Sequence, residues 1–146
     1  MLSVPLGFLL LDAHRLIRAR FDARAEAAGL GLTAGEARAL LHISKREGRR
    51  QNVLAEHLNI DPMTLVTYLD RLEAAGLVQR CPDPADRRAK VVRLTPASAP
   101  VLTKVQAVCR AVRADATAGL AEEDVRRLAA LIGGVIGALS GLAPPA

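Results

Sequence analysis

Asn59-Ile60-Asp61-Pro62-Met63-Thr64-Leu65-Val66-Thr67-Tyr68-Leu69-Asp70-Arg71-Leu72-Glu73-Ala74-Ala75-Gly76 decides the fold. Asp61 is a good helix N-cap, and Pro62 suits the first helical position, where its missing N–H is not needed. The helix so started runs to about Ala75, with Gly76 as its C-terminal stop. Leu65, Leu69 and Leu72 fall at i, i+4 and i+7 and form the buried stripe. Thr64, Thr67, Tyr68 and Arg71 share the opposite face, which lacks the Glu/Lys mixture of an ordinary solvated surface. A shorter helix over about Asn52 to Leu58 precedes the Asn59–Asp61 turn, and the pair has a helix-turn-helix outline. That outline also fits a helix pair in any α-bundle.

The segment after the second helix distinguishes the two. Leu77 to Cys81 and Lys90 to Thr95 are rich in Val and Leu and read as strands. Between them, Pro82-Asp83-Pro84-Ala85-Asp86-Arg87-Arg88 reads as a hairpin loop, so the unit is a winged helix-turn-helix. Hydroxyls, an aromatic and an Arg on the helix are able to meet base edges, thymine methyls and phosphates. A hairpin tip carrying Arg87, Arg88 and Lys90 suits the minor groove, where the potential is most negative. Asp86 would repel DNA alone, but as an ion-pair partner it could hold the Arg88 guanidinium extended. The charge distribution agrees: of a net +5, Lys45–Arg50 carries +3 and Arg80–Arg93 carries +3, and the rest sums to −1. Arg49, Arg50, Gln51 and Asn52, at the start of the short helix, are candidate phosphate contacts. Pro62 and Met63 join the recognition-helix set, and Asp61 is assigned to capping.

Further out, most of the chain reads as helix. Leu6 to Ala28 places Leu9, Leu10, Ala13, Leu16 and Ile17 at helical period, and Gly29 and Gly31 end it. Thr33 and Glu36 form a capping box opening a helix to about Lys45, which Gly48 stops. Thr95 before Pro96 is read as the cap of a fifth helix, in whose first turns Pro100 sits awkwardly. A sixth covers about Glu122 to Leu142. Its Val125, Leu128, Leu131, Ile132, Val135, Ile136, Leu139 and Leu142 exceed what one winged-helix core can cover, and Gly133, Gly137 and Gly141 recur every four residues. This fits a packed helix interface in a homodimer. A membrane partner is disfavoured, because no basic face accompanies the apolar one. The uncharged run from Leu128 forms a helix of only roughly 22 Å, short of the roughly 30 Å hydrocarbon core. No basic residue precedes the apolar run Leu6–Leu11, so no signal peptide is expected.

Leu32-Thr33, Leu54-Ala55, Asp70-Arg71-Leu72-Glu73, Gly76-Leu77-Val78, Asp86-Arg87-Arg88-Ala89-Lys90 and Leu94-Thr95 together resemble the MarR family of bacterial transcription regulators. The similarity extends over nearly the whole chain, including Leu6-Gly7-Phe8-Leu9-Leu10, and is most specific in the wing, from Asp83 to Thr95. One departure is Ser98-Ala99, where the family often has a Gly. The resemblance implies an obligate homodimer on duplex DNA and a mainly α fold with a small β-hairpin wing. It implies a helical dimerisation region at 1–31 and 96–146 around a winged helix-turn-helix at 32–95. By it, Thr64, Thr67 and Tyr68 fall on the recognition helix, Arg88 on the minor-groove arginine and Asp86 on its acidic partner. It also implies a small aromatic or phenolic anion as effector, for which Arg15 and Arg18 are candidates. The expected function is a ligand-responsive repressor on a pseudo-palindromic operator, in a bacterial cytoplasm. The alternatives are a module with no effector and a redox-responsive regulator.

At 51% hydrophobic and 24% charged the chain is globular rather than disordered, and at 2% aromatic its core must be aliphatic. Ser3, Ser44, Ser98 and Ser140 lie in no nucleophile-elbow context, and no Gly-rich phosphate loop occurs, so no enzyme is expected. His14, His42 and His57 lie on three helices without an i, i+4 partner, so neither a metal nor any other cofactor is expected. Cys81 and Cys109 lack metal or disulfide-scaffold spacing. Cys81, among Arg80, Arg87 and Arg88, is the candidate for the redox alternative, against a plain reading as a small strand-end hydrophobe.

Overall fold

Short capping and turn signals set the element boundaries in a computed structural model that describes residues 4–142. The order is α1 (Leu6–Ala27), α2 (Ala34–Lys45), α3 (Gln51–Leu58), α4 (Pro62–Ala74), β1 (Val78–Pro82), β2 (Lys90–Leu94), α5 (Ser98–Ala116) and α6 (Glu122–Ser140). It is a mainly helical fold with one antiparallel hairpin, as the sequence predicts. Thr33 Oγ1 accepts the Glu36 N–H at 3.2 Å while Glu36 Oε2 accepts the Thr33 N–H at 3.1 Å, completing the capping box of α2.

The turn between α3 and α4 depends on Asn59, which adopts the left-handed conformation (φ 51°) that Asn tolerates better than most residues. Its N–H reaches Glu56 O at 3.0 Å and the Ile60 N–H reaches Ala55 O at 3.1 Å, so α3 closes in a Schellman motif. Two residues later Asp61 Oδ1 accepts the Met63 N–H at 2.8 Å and starts α4. The same closure recurs at the other end of α4: Gly76, at φ 74°, and Leu77 donate to Glu73 O and Leu72 O, each at 2.9 Å.

The hairpin pairs Val78 with Leu94 through Pro82 with Lys90. β1 is shifted by one residue from the expected Leu77–Cys81, because the Leu77 N–H is already used in closing α4, and β2 begins at Lys90 as expected but ends at Leu94. Thr95 does not cap α5 with its side chain. Its hydroxyl donates to Gly76 O, while its carbonyl accepts the Ser98 N–H (3.1 Å) and hydroxyl (2.7 Å). Because α5 begins at Ser98, Pro100 is its third residue, where an α-helix needs no backbone donor.

Two compact units divide at Val112 and Arg113. In the first, Leu40, Ile43, Leu54, Leu65, Leu69, Leu72, Val78 and Val92 form the winged-helix core. Phe21, Ala25, Leu30, Ala37, Val105, Val108 and Val112 form a second cluster joining α1, α2 and α5. None of the residues of the apolar stripe expected along α1 is buried, and the helix buries Phe21 and Ala25 near its C-terminal end instead. Leu6, Phe8, Leu9, Leu11, Leu16 and Ile17 are exposed. In the second unit, Arg113 meets Glu122 at 2.9 Å, and Leu128, Leu131, Ile136, Leu139 and Leu142 are exposed.

Candidate nucleic-acid interface

The two basic segments, 30 residues apart in sequence, are one surface in space. The loop before α3 lies along the free edge of β2: the Gly48 N–H donates to Val92 O at 2.8 Å, and the Val92 N–H to Arg49 O at 3.0 Å. Arg50 bridges Val91 by its backbone, and its Nε donates to Asp83 Oδ2 at 2.6 Å. Arg50, Gln51, Asn52, Pro62, Val66, Ala89 and Lys90 line an open cleft of about 330 Å³. No carboxylate lines it. Three of the four candidate phosphate contacts, the start of the recognition helix and the base of the wing thus border one cationic groove, with exposed Arg49 next in sequence. No side chain caps α3, so the first N–H groups of that helix keep their positive end available to an anion.

On α4, Leu65, Leu69 and Leu72 are buried as the period requires. Pro62, Met63, Thr64 and Thr67 are exposed, Met63 to 70%. The Thr67 hydroxyl donates to Met63 O at 3.2 Å. The other two members of the predicted face lean elsewhere. Tyr68 is half-buried against the core, over Gly35 of α2. Arg71 Nη1 donates to Glu36 Oε1 at 3.2 Å.

At the wing tip, Arg87, Arg88 and Lys90 are exposed. Asp86 is placed differently from the expectation: its Oδ1 accepts the backbone N–H of Arg88 at 3.0 Å. It shapes the turn beneath Arg88 by forming an Asx turn rather than an ion pair. Asp83 does the same one turn earlier, accepting the Ala85 N–H at 2.9 Å. That bond first, and the Arg50 guanidinium second, hold the Asp83 carboxyl below its ordinary range.

Arg80 does not contribute to the cationic surface. It points at α4, meeting Asp70 at 2.6 Å and Glu73 at 3.3 Å. Hydrogen bonding with Arg80 holds Glu73 below the usual carboxylate range, and the same bond raises Arg80. Two carboxylates three residues apart on a helix, with an Arg one strand later, are the sequence signal that identifies this pairing. No such signal exists for Asp83 with Arg50 or for Glu36 with Arg71.

Cys81 is a free thiol, half-buried in β1 opposite Val91, and the Arg80 guanidinium nearby in sequence is engaged by carboxylates. Burial pushes the Cys109 thiol up. His42 is half-buried, with no hydrogen-bond partner for its buried Nδ1. Burial first, then Arg46, His57 and Arg38, lower its pKa. Arg15 and Arg18 are exposed on α1, Arg15 lying 3.9 Å from Asp12. Among the described residues, no group of three or more His, Cys, Asp or Glu could hold a metal ion, and no helix is long and apolar enough to cross a membrane.

A family model described as the MarR family matches residues 30–89, which contain α2, α3, α4, β1 and the wing loop. A transcriptional regulator of known structure is similar at 30% identity, over 94% of this chain and 100% of that chain, with a TM-score of 0.76. Wild-type apo MarR from E. coli matches at 26% identity over 91% of this chain and 98% of that one (TM-score 0.75). A cysteine mutant of the E. coli protein, complexed with operator DNA, matches at 26% over 90% and 94% (TM-score 0.67).

Proposed function

This chain belongs to the MarR family, and from that premise we propose that it is a transcription regulator that binds duplex DNA as a homodimer. The cleft carries the reading: a groove bordered by Arg50, Gln51, Asn52, Pro62 and Lys90, with no carboxylate in its lining. A phosphate backbone seated there would leave α4 beside it for the major groove and the Arg87–Arg88 tip for the minor groove. Met63, Thr64 and Thr67 are then the base-facing set, Met63 offering apolar contact to a thymine methyl. Arg49, Arg50, Gln51 and Asn52 contact phosphate, and Arg87, Arg88 and Lys90 follow the backbone into the adjacent groove. The operator complex of the E. coli relative supports DNA as the partner.

The second copy rests on the apolar surface. Leu6, Phe8, Leu9 and Leu11 of α1 and Leu131, Ile136 and Leu139 of α6 are large hydrophobics left in solvent by a single chain. A soluble protein rarely leaves such area uncovered. One cleft serves one half-site, so a two-fold dimer requires a two-fold operator. Repression by occupancy of that operator in a bacterial cytoplasm, relieved by a small aromatic or phenolic anion, completes the proposal, and the family resemblance supports this part. The proposed role is non-catalytic.

Selection of duplexes from a random pool, followed by footprinting, tests the reading. Two protected half-sites with centres about 10 bp apart, or a small multiple, are expected. Protection of one asymmetric site by a single chain would contradict it.

A further inference from the structure

We propose that Glu36 and Arg71 are positioning residues that set the angle at which α4 is presented to DNA, and that Arg71 acts through Glu36 rather than through phosphate. The proposal rests on the DNA-binding reading and deepens it. Both oxygens of Glu36 are committed. Oε2 accepts the Thr33 N–H at 3.1 Å and Oε1 accepts Arg71 Nη1 at 3.2 Å. The Glu36 side chain is 6% exposed and that of Arg71 64%, so the guanidinium reaches inward to a buried carboxylate from an otherwise solvated stem.

Three residues before Arg71, Tyr68 packs on the neighbouring residue of the same α2 turn. A Cβ at Gly35 would collide with the Tyr68 hydroxyl and ring, so the bare backbone there is what admits it. Successive α2 residues, 35 and 36, therefore receive two α4 side chains spaced i, i+3 on one face. The α2 turn is itself rigid, closed by the capping box, and α2 is tied to α1 by the Arg38–Asp22 ion pair. From its other side α4 is held by Arg80 of β1, through Asp70 and Glu73.

Base-edge hydrogen bonds weaken steeply when distance or angle departs from a narrow range. A small rotation of α4 therefore moves Thr64 and Thr67 out of register, while the long cationic side chains of wing and cleft still find phosphate. Loss of the Arg71–Glu36 bond leaves a buried carboxylate with one backbone donor, an arrangement costly enough to drive the turn to rearrange. The consequence is lost sequence preference rather than lost charge.

The two roles for Arg71 separate cleanly. Binding isotherms for a selected operator and a scrambled duplex, across several salt concentrations, are compared for wild type, Arg71→Ala, Arg71→Lys and Glu36→Gln. The positioning role predicts that Glu36→Gln lowers the operator-to-scrambled ratio about tenfold, the worth of one charged hydrogen bond. It does so although removing a negative charge from a DNA-binding chain would by itself tighten binding to every duplex. Arg71→Ala lowers the ratio similarly with the salt slope unchanged, Arg71→Lys does not restore it, and the Glu36→Gln/Arg71→Ala double variant loses no more than either single one. A slope lower by about 0.9 per protomer in Arg71→Ala, equal weakening on both duplexes and rescue by Lys would overturn the proposal. So would a Glu36→Gln variant of unchanged or tightened operator binding. Circular dichroism melts confirm that each variant compared is folded. Wild type with no salt-dependent duplex binding would instead sink the DNA-binding reading itself.

Discussion

Arg50 and Asp83, 33 residues apart, meet at 2.6 Å, Nε to Oδ2, and so fasten the loop before α3 to the first turn of the wing. Asp83 also accepts the Ala85 N–H, while its own N–H donates to Ala89 O at 2.9 Å. Asp83, through its side chain and its backbone N–H, thus organises both the turn and the junction of the two basic segments.

Replacing Asp83 with Ala should loosen this hairpin without unfolding the core. Amides of Asp83, Asp86 and Ala89, which close the turn, should exchange faster with deuterium than in wild type, while those of α2 and α4 keep their protection. Unchanged exchange across the wing loop would show that Asp83 holds nothing there.

Leu69 lies at the centre of the winged-helix core and is fully buried. Leu69→Ala should cost about 2–5 kcal/mol, since removal of a buried Leu side chain loses transfer energy and leaves a cavity. Urea denaturation measures it, and a loss below about 1 kcal/mol would mean that α4 is not packed as described.

Much of this architecture is legible in the sequence because the signals are local. The Asp61-Pro62 start, the Thr33–Glu36 box and the Gly76 stop each act within a few residues, so α2, α3 and α4 fall within a residue or so of expectation. The wing is legible from its Val- and Leu-rich strands and the loop residues between them. Pairings across tens of residues are not: Arg50 with Asp83 and Arg71 with Glu36 depend on packing that brings distant turns together. The sequence suggests Asp86 as a charge partner for Arg88, but its short side chain competes more effectively for the N–H two residues on. The exposed half of α1 shows that helical period marks an apolar face without saying what covers it.

His42 should make stability fall on mild acidification. Its pKa is lowered in the fold, so between that value and the ordinary value of about 6.5 the unfolded chain binds more protons than the native one. The stabilisation is complete above about pH 6.5 and declines as pH falls below it. Denaturation midpoints measured from pH 7.5 to 5.5, roughly spanning that window, should drop for wild type and stay flatter for His42→Leu. Equal slopes for the two would rule out His42 as the source.

Leu131 and Leu139 are exposed on α6. If a second copy covers them, Leu131→Glu with Leu139→Glu buries two unpaired charges and should split the dimer. Sedimentation of wild type should give twice the chain mass, and of the variant either the chain mass or aggregated protein. A wild type that sediments as a folded monomer, or a variant that dimerises as before, contradicts the homodimer.

If the cleft and wing grip DNA phosphates while α4 reads bases, the salt dependence of binding separates the two contributions. Binding constants for operator and scrambled duplex are determined against salt concentration for wild type, Arg88→Ala and Thr67→Ala. Arg88→Ala should weaken both duplexes and lower the log–log salt slope by about 0.9 for each phosphate charge lost per wing. Thr67→Ala should keep the slope and lose about 1–3 kcal/mol of operator preference. An unchanged slope in Arg88→Ala, together with full operator preference in Thr67→Ala, would show that neither element faces DNA.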